Sequence, residues 1–139
     1  MASFSSIKAS IKTKLETITG LENVSSWERG QIEGYPSAVI SGFELISNEW
    51  SDNDSNQRIF DFKVRIYQEM ESEAKGAEEA EDILDALVDD IVDAFNDDRT
   101  LSNTVIGAWI TGASGWADRE LNMRILEFSI KVKTMYDLT

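Results

Sequence analysis

KGAEEAEDILDALVDDIVDAFNDDR, residues 75–99, is the stretch on which the reading of the whole chain turns. Ile83, Leu84, Leu87, Val88, Ile91 and Phe95 recur with a period near 3.6, and Ala80 stands one turn earlier. The positions between them are almost all carboxylates: Glu78, Glu79, Glu81, Asp82, Asp85, Asp89, Asp90 and Asp93. A helix here has one face that must be covered and one that must stay in water. The rest of the chain has to supply the cover.

Immediately before it, Phe60, Phe62, Val64 and Ile66 alternate with Asp61, Lys63 and Arg65, the period of a strand with one buried face, over residues 58–67. SAVISGFELI, residues 37–46, is apolar and β-prone and predicts a second strand. SNEWSDNDSNQ, residues 47–57, reads as a long polar tip joining the two into a hairpin. Residues 20–36 carry Gly20, Gly30, Gly34 and Pro36 and read as a loop. Before them, Phe4, Ile7, Ile11, Leu15 and Ile18 predict a short amphipathic helix over about 5–18. Ser3, Ser5 or Ser6 is placed to cap it, and Gly20 to stop it. After the acidic helix, residues 103–110 predict a strand. TGASGWADRE, residues 111–120, predicts a turn, and Leu126, Phe128, Ile130 and Val132 mark a last strand over about 121–135.

The order α-β-β-α-β-β predicts an α+β fold: one mainly antiparallel four-stranded sheet, the acidic helix packed on one face, and a short N-terminal helix. At 139 residues the expectation is a single domain, 1–139. The net charge is −13, and residues 71–99 hold 12 acidic and 2 basic residues, so the negative charge belongs to one helix and its flanks. Such a surface repels nucleic acid, and no basic cluster points to specific binding. The N-terminus lacks a basic region followed by an apolar run, and no apolar stretch approaches the ~18 residues of a membrane span.

Chemistry finds little purchase. There is no cysteine and no histidine, which removes thiolate metal sites, disulfides and the commonest general base. Asp52, Asp54 and Asn56 open like a calcium loop, but Gln57 and Lys63 stand where glycine and glutamate belong, so a plain hairpin tip is the better reading. The helix carboxylates lie opposite the apolar stripe and read as a solvated face. TGASGW lacks a phosphate-loop frame. No catalytic, cofactor or metal site is expected.

Candidate interface residues remain. Trp27, Trp50 and Trp116 fall in segments read as loops, where a tryptophan either folds back on the core or anchors a protein partner, while Trp109 reads as core. Lys63, Arg65, Lys131 and Lys133 fall on the sheet face away from the acidic helix, whose outer side carries Asp85, Asp89 and Asp93; the first helix adds Lys8, Lys12 and Lys14. Opposed faces of this kind bind copies head to tail and close into a ring when the rotation is right. Two ordinary solvated faces are the plainer reading of the same charges.

The hairpin VISGFELISNEWSDNDSNQRIFDFKVRIY, the helix AEEAEDILDALVDDIVDAF and the closing strand ILEFSIKVKTMY, in that order after an N-terminal helix, resemble the tail terminator proteins of long-tailed bacteriophages, also called tail completion or tail-to-head joining proteins. The resemblance spans the chain as an order of elements and carries no catalytic motif. It implies a non-enzymatic virion protein, assembled in the host cytoplasm. Copies form a homohexameric ring at the head-proximal end of the tail, which stops the tail tube protein from polymerising and offers a surface to a head-completion or neck protein. DNA passes through the bore as cargo, and an acidic lining suits that passage. By position, residues 47–57 with Trp50, Asp52 and Asp54, and residues 111–120 with Trp116, become candidate contacts. The rival expectation is a monomeric acidic module, of inhibitor or immunity type, that binds a basic protein.

Overall fold

The computed structural model describes residues 3–25, 34, 36–50, 55–69 and 74–137. Its elements are α1 (Phe4–Glu16), β1 (Asn23–Ser25), β2 (Ser37–Trp50), β3 (Ser55–Glu69), α2 (Ala74–Asp97), β4 (Gly107–Asp118) and β5 (Met123–Asp137). The fold is α+β, built on one sheet in the order β1-β2-β3-β5-β4. β1 runs parallel to β2, and every other pairing is antiparallel.

Both helices lie on one face of that sheet. α1 is capped by Ser3, whose hydroxyl accepts from the Ser6 N–H while the Ser6 hydroxyl accepts in return from the Ser3 N–H. Its stripe of Ile7, Ile11, Leu15 and the following Ile18 is buried, and so is the α2 stripe of Ala80, Leu84, Leu87, Ile91 and Phe95. These meet Phe60, Phe62, Val64 and Ile66 of β3 and Leu126, Phe128, Ile130 and Val132 of β5 in one core cluster. The register sets Phe62 beside Ile130 and Val64 beside Phe128, so the two alternating strands turn the same parity toward the helices. Ile83, read as part of the stripe, is 38% exposed: the buried steps run 80, 84, 87, 91 and 95, and Ile83 lies at the margin of that track.

Three sequence expectations are corrected. The sheet has five strands, because Asn23–Ser25, inside the segment read as a loop, pairs with Ser37–Val39. The polar segment 47–57 is not a loop in its described part: β2 continues to Trp50, β3 begins at Ser55, and Trp50 pairs with Asn56. The buried Asn56 amide donates to the Glu49 carbonyl (3.2 Å), and its oxygen accepts from Arg58 Nε (2.7 Å), which satisfies polar groups that sequence alone assigns to a loop. Third, TGASGWAD is strand rather than turn. Gly112 to Asp118 pair with Ser129 to Met123, and the reversal falls at Arg119–Asn122, with Asn122 at φ 57°.

From α2 to β4 the chain passes through a left-handed turn. Leu101, Ser102 and Asn103 have φ of 48°, 57° and 68°, each a costly conformation for a side chain with a Cβ. The turn is held by Asp98, which accepts from the Ser102 N–H (2.9 Å), by the Thr100 hydroxyl, which accepts from the Asn103 N–H (3.2 Å), and by the buried Leu101 side chain.

Candidate assembly surfaces

The acidic surface is the outer side of α2. Glu79, Glu81, Asp82, Asp85, Asp89, Asp90, Asp93 and Asp97 are all exposed. Of these, Glu81 meets Arg124 of β5 at 3.4 Å. No other ion pair forms to this side of α2 among the described residues, and Asp85, Asp89 and Asp93 stand free in a row. No group of side chains among the described residues is arranged to hold a metal ion.

On the opposite surface, the sheet face away from the helices, register does bring the four sequence-marked cations together. Lys63 pairs with Ser129, Arg65 with Glu127, Lys131 with Asp61 and Lys133 with Ile59. They do not make a surface of one sign. Lys63 Nζ lies 3.1 Å from Asp61 and donates to the Ser129 hydroxyl at 2.6 Å. Arg65 Nε lies 2.9 Å from Glu127 and its guanidinium sits 5.4 Å from the centre of the Trp116 ring. Alternating strand positions interleave the acids with the bases, so the opposed-charge arrangement has a strong acidic half and a nearly compensated basic half.

Trp116 is part of a small second cluster on this face. It packs, with Met123, against Val39, Tyr67 and Ile125. It is therefore half-buried within a strand and not a loop anchor. Trp109, read as core, is also only half-buried and stands opposite Lys131. Trp50 is 57% exposed at the far end of β2. Asp52, Asp54 and Trp27 lie outside the described residues.

Sequence reasoning missed the apolar surface beside Trp50. Phe43, Leu45 and Ile46 are 57%, 46% and 49% exposed. The cause is two register shifts in β2, between Ile40 and Gly42 and between Leu45 and Ser47. Each inserts one residue, so the positions opposite the inward-facing residues of β3 run Ala38, Ile40, then Phe43, Leu45, then Asn48, Trp50. Phe43 and Leu45 thus stand on the helix side of the sheet, but beyond the cover of the helices. Phe4, at the start of α1, reaches Phe43 with ring centres 4.6 Å apart and stacks on Phe62 at 5.5 Å. Past that aromatic contact Leu45, Ile46 and Trp50 of the hairpin stay exposed. The signal lay in SAVISGFELI itself, whose apolar residues do not keep strict alternation.

No protein-family model matches this chain, and no curated protein matches it in sequence. In three dimensions it is similar to a chain of a solved structure described as the virion of a native gene transfer agent particle. The TM-score is 0.56 at 12% identity, and the match covers 93% of this chain and 94% of that one. At that identity the likeness establishes a shared fold.

Proposed function

We propose that this chain is a structural virion protein that acts as a tail terminator: copies form a ring, a hexamer by resemblance, that caps the head-proximal end of a tail tube and joins it to the head. The observation that carries the reading is the near-complete mutual coverage between this chain and a chain of a virion particle, 93% and 94%. A small domain matched end to end shares its fold, and the N-terminal helix, hairpin, acidic helix and closing strands of the terminator resemblance follow in that order, with the short β1 added. Two further features support it. The surface offers long uncovered strand and aromatic residues at the end of the β2–β3 hairpin, which suits docking more than catalysis. The unpaired carboxylates of α2 suit a bore through which DNA must slide without adhering. On this reading the partners are further copies of the chain, a tail tube protein and a head-completion protein, and the chain is not an enzyme.

Deleting the gene from the particle that encodes it tests the role. Tails of uncontrolled length, with heads left unjoined, are the expected result. Normal tails on normal particles contradict the role.

A further inference from the structure

The geometry points to a specific contact between copies: the open edge of β4 in one copy adds to the open edge of β2 in the next, continuing the sheet across the junction. This deepens the ring reading and rests on it.

Among the described residues, both ends of the sheet have open edges. β1 covers β2 only at Ser37–Val39, so no described strand pairs with the outer edge of β2 from Ser41 to Trp50. At the other end, no described strand pairs with the outer edge of β4. An uncovered strand edge is a row of backbone donors and acceptors ready to pair, and monomeric proteins guard such edges with charges, lysine or proline. β4 carries no guard: from Gly107 to Ala117 it contains no charged residue and no proline. β2 between Ser41 and Trp50 has only Glu44 and Glu49, and it exposes Phe43, Leu45, Ile46 and Trp50. The Ala108 N–H is taken by the Arg99 carbonyl, so the open part of β4 runs over 109–118 and matches the open part of β2 over 41–50 in length.

Strand direction identifies the occupant as a second copy. β2, β3, β5 and β4 are neighbours in that order, and each runs antiparallel to the next. β4 therefore runs opposite to β2. A copy related by rotation about an axis near the strand direction presents its β2 to this β4 in antiparallel sense, so the alternation continues unbroken. The two edges differ, so the contact is heterologous, and repeating it generates a ring when the rotation closes. Side chains fit the same arrangement. Gly112, Ala113, Gly115 and Ala117 of β4 are small and exposed, and a Cβ built on Gly112 meets nothing within 4 Å, which leaves room beside β4 for the bulky residues that β2 exposes.

Two edge-blocked chains test this: Leu45→Lys with Ile46→Lys on β2, and Thr111→Lys with Ala113→Lys on β4. All four positions are at the surface, and circular dichroism with a thermal melt establishes that each variant folds. By sedimentation, the wild-type chain is expected to form a closed assembly and each variant to remain at the 15.6 kDa of one chain. Mixed one to one, the two variants are expected to form a heterodimer of twice that mass and nothing larger, since together they keep one intact junction. Assembly by either variant alone, or no pairing in the mixture, overturns the edge contact while leaving the ring. A wild-type chain that stays monomeric at all concentrations overturns the ring itself. Should a variant fail to fold, amide exchange on the wild-type chain decides: protection over 111–117 and 41–50 that appears only in the assembly supports the contact, and its absence overturns it.

Discussion

Leu87 shows how one side chain ties the acidic helix to its cover. It is buried in the same cluster as Phe62, Phe128 and Ile130, and it also closes the turn after α1, since a Cβ built on Gly20 falls 2.6 Å from Leu87 Cδ2. Truncating Leu87→Ala is expected to cost about 2–5 kcal/mol in denaturant unfolding. Gly20→Ala should cost about 1–3 kcal/mol by overpacking, and much less in the Leu87→Ala background, because the two positions share the same space. Additive effects would show that Leu87 does not lie under Gly20. Asp98 supplies a pH-dependent counterpart. The Ser102 N–H holds its carboxyl below the usual carboxylate range, burial offsets part of that, and Lys14 at 3.5 Å adds a smaller effect in the lowering direction. A depressed folded value means that the contribution is present above the unfolded carboxylate value of about 3.9 and is lost as pH falls through the lower folded value. Asp98→Ala should therefore destabilise by about 1 kcal/mol at neutral pH, the order of one lost hydrogen bond. The difference from wild type in thermal midpoint should shrink as the pH falls below the unfolded carboxylate value and through the lower folded one. A difference independent of pH would assign the effect to packing alone.

At the scale of elements, what was legible in the sequence was what local periodicity encodes. The helix α2, its carboxylate side, the α1 stripe and the alternation of β3 and β5 follow from spacing, because one face of each is buried and the other wet. What was not legible depends on partners distant in sequence. β1 is three residues that become a strand only beside β2. The second half of β4, from residue 111, reads as a turn because Gly112 and Gly115 favour one locally, yet β5 lies alongside and fixes it as strand. The bulges in β2 shift the parity of Phe43, Leu45 and Trp50, and no local pattern announces a bulge. For the candidate surfaces, register places the four cations on one face, but the pairing of Arg65 with Glu127 is a cross-strand matter, and that of Lys63 with Asp61 joins next-but-one residues of β3. The hairpin end gives the test at this scale. Trp50 is exposed, so Trp50→Ala should leave the unfolding midpoint nearly unchanged while costing about 2 kcal/mol or more in docking if it is an anchor. Particles carrying it should show overlong or headless tails. Normal tail length and normal head joining would remove Trp50 from the mechanism.

At the scale of the whole molecule, the described residues form a sheet with one face covered by two helices, an open edge at each end, and a strongly acidic outer side on α2. Its net charge of −13 sits mainly on α2, and the opposite sheet face is nearly compensated. Charge therefore opposes the gathering of copies more than it drives it. Screening lengths fall from about 10 Å at 0.1 M salt to about 3 Å at 1 M, so salt should strengthen self-association rather than weaken it. Sedimentation at the two ionic strengths checks this, and weakening by salt would return the contact to opposed charges. Backbone pairing and apolar side chains at the β2 and β4 edges supply the attraction in this account, and the particle supplies the position. The most direct measurement of the central claim is electron cryomicroscopy of the particle that encodes the chain. The account predicts density for this fold as a single ring between tail tube and head, with α2 facing the bore and sheets continuous between neighbouring copies. Density for the fold repeated along the tube, or a particle that lacks the chain altogether, would contradict it.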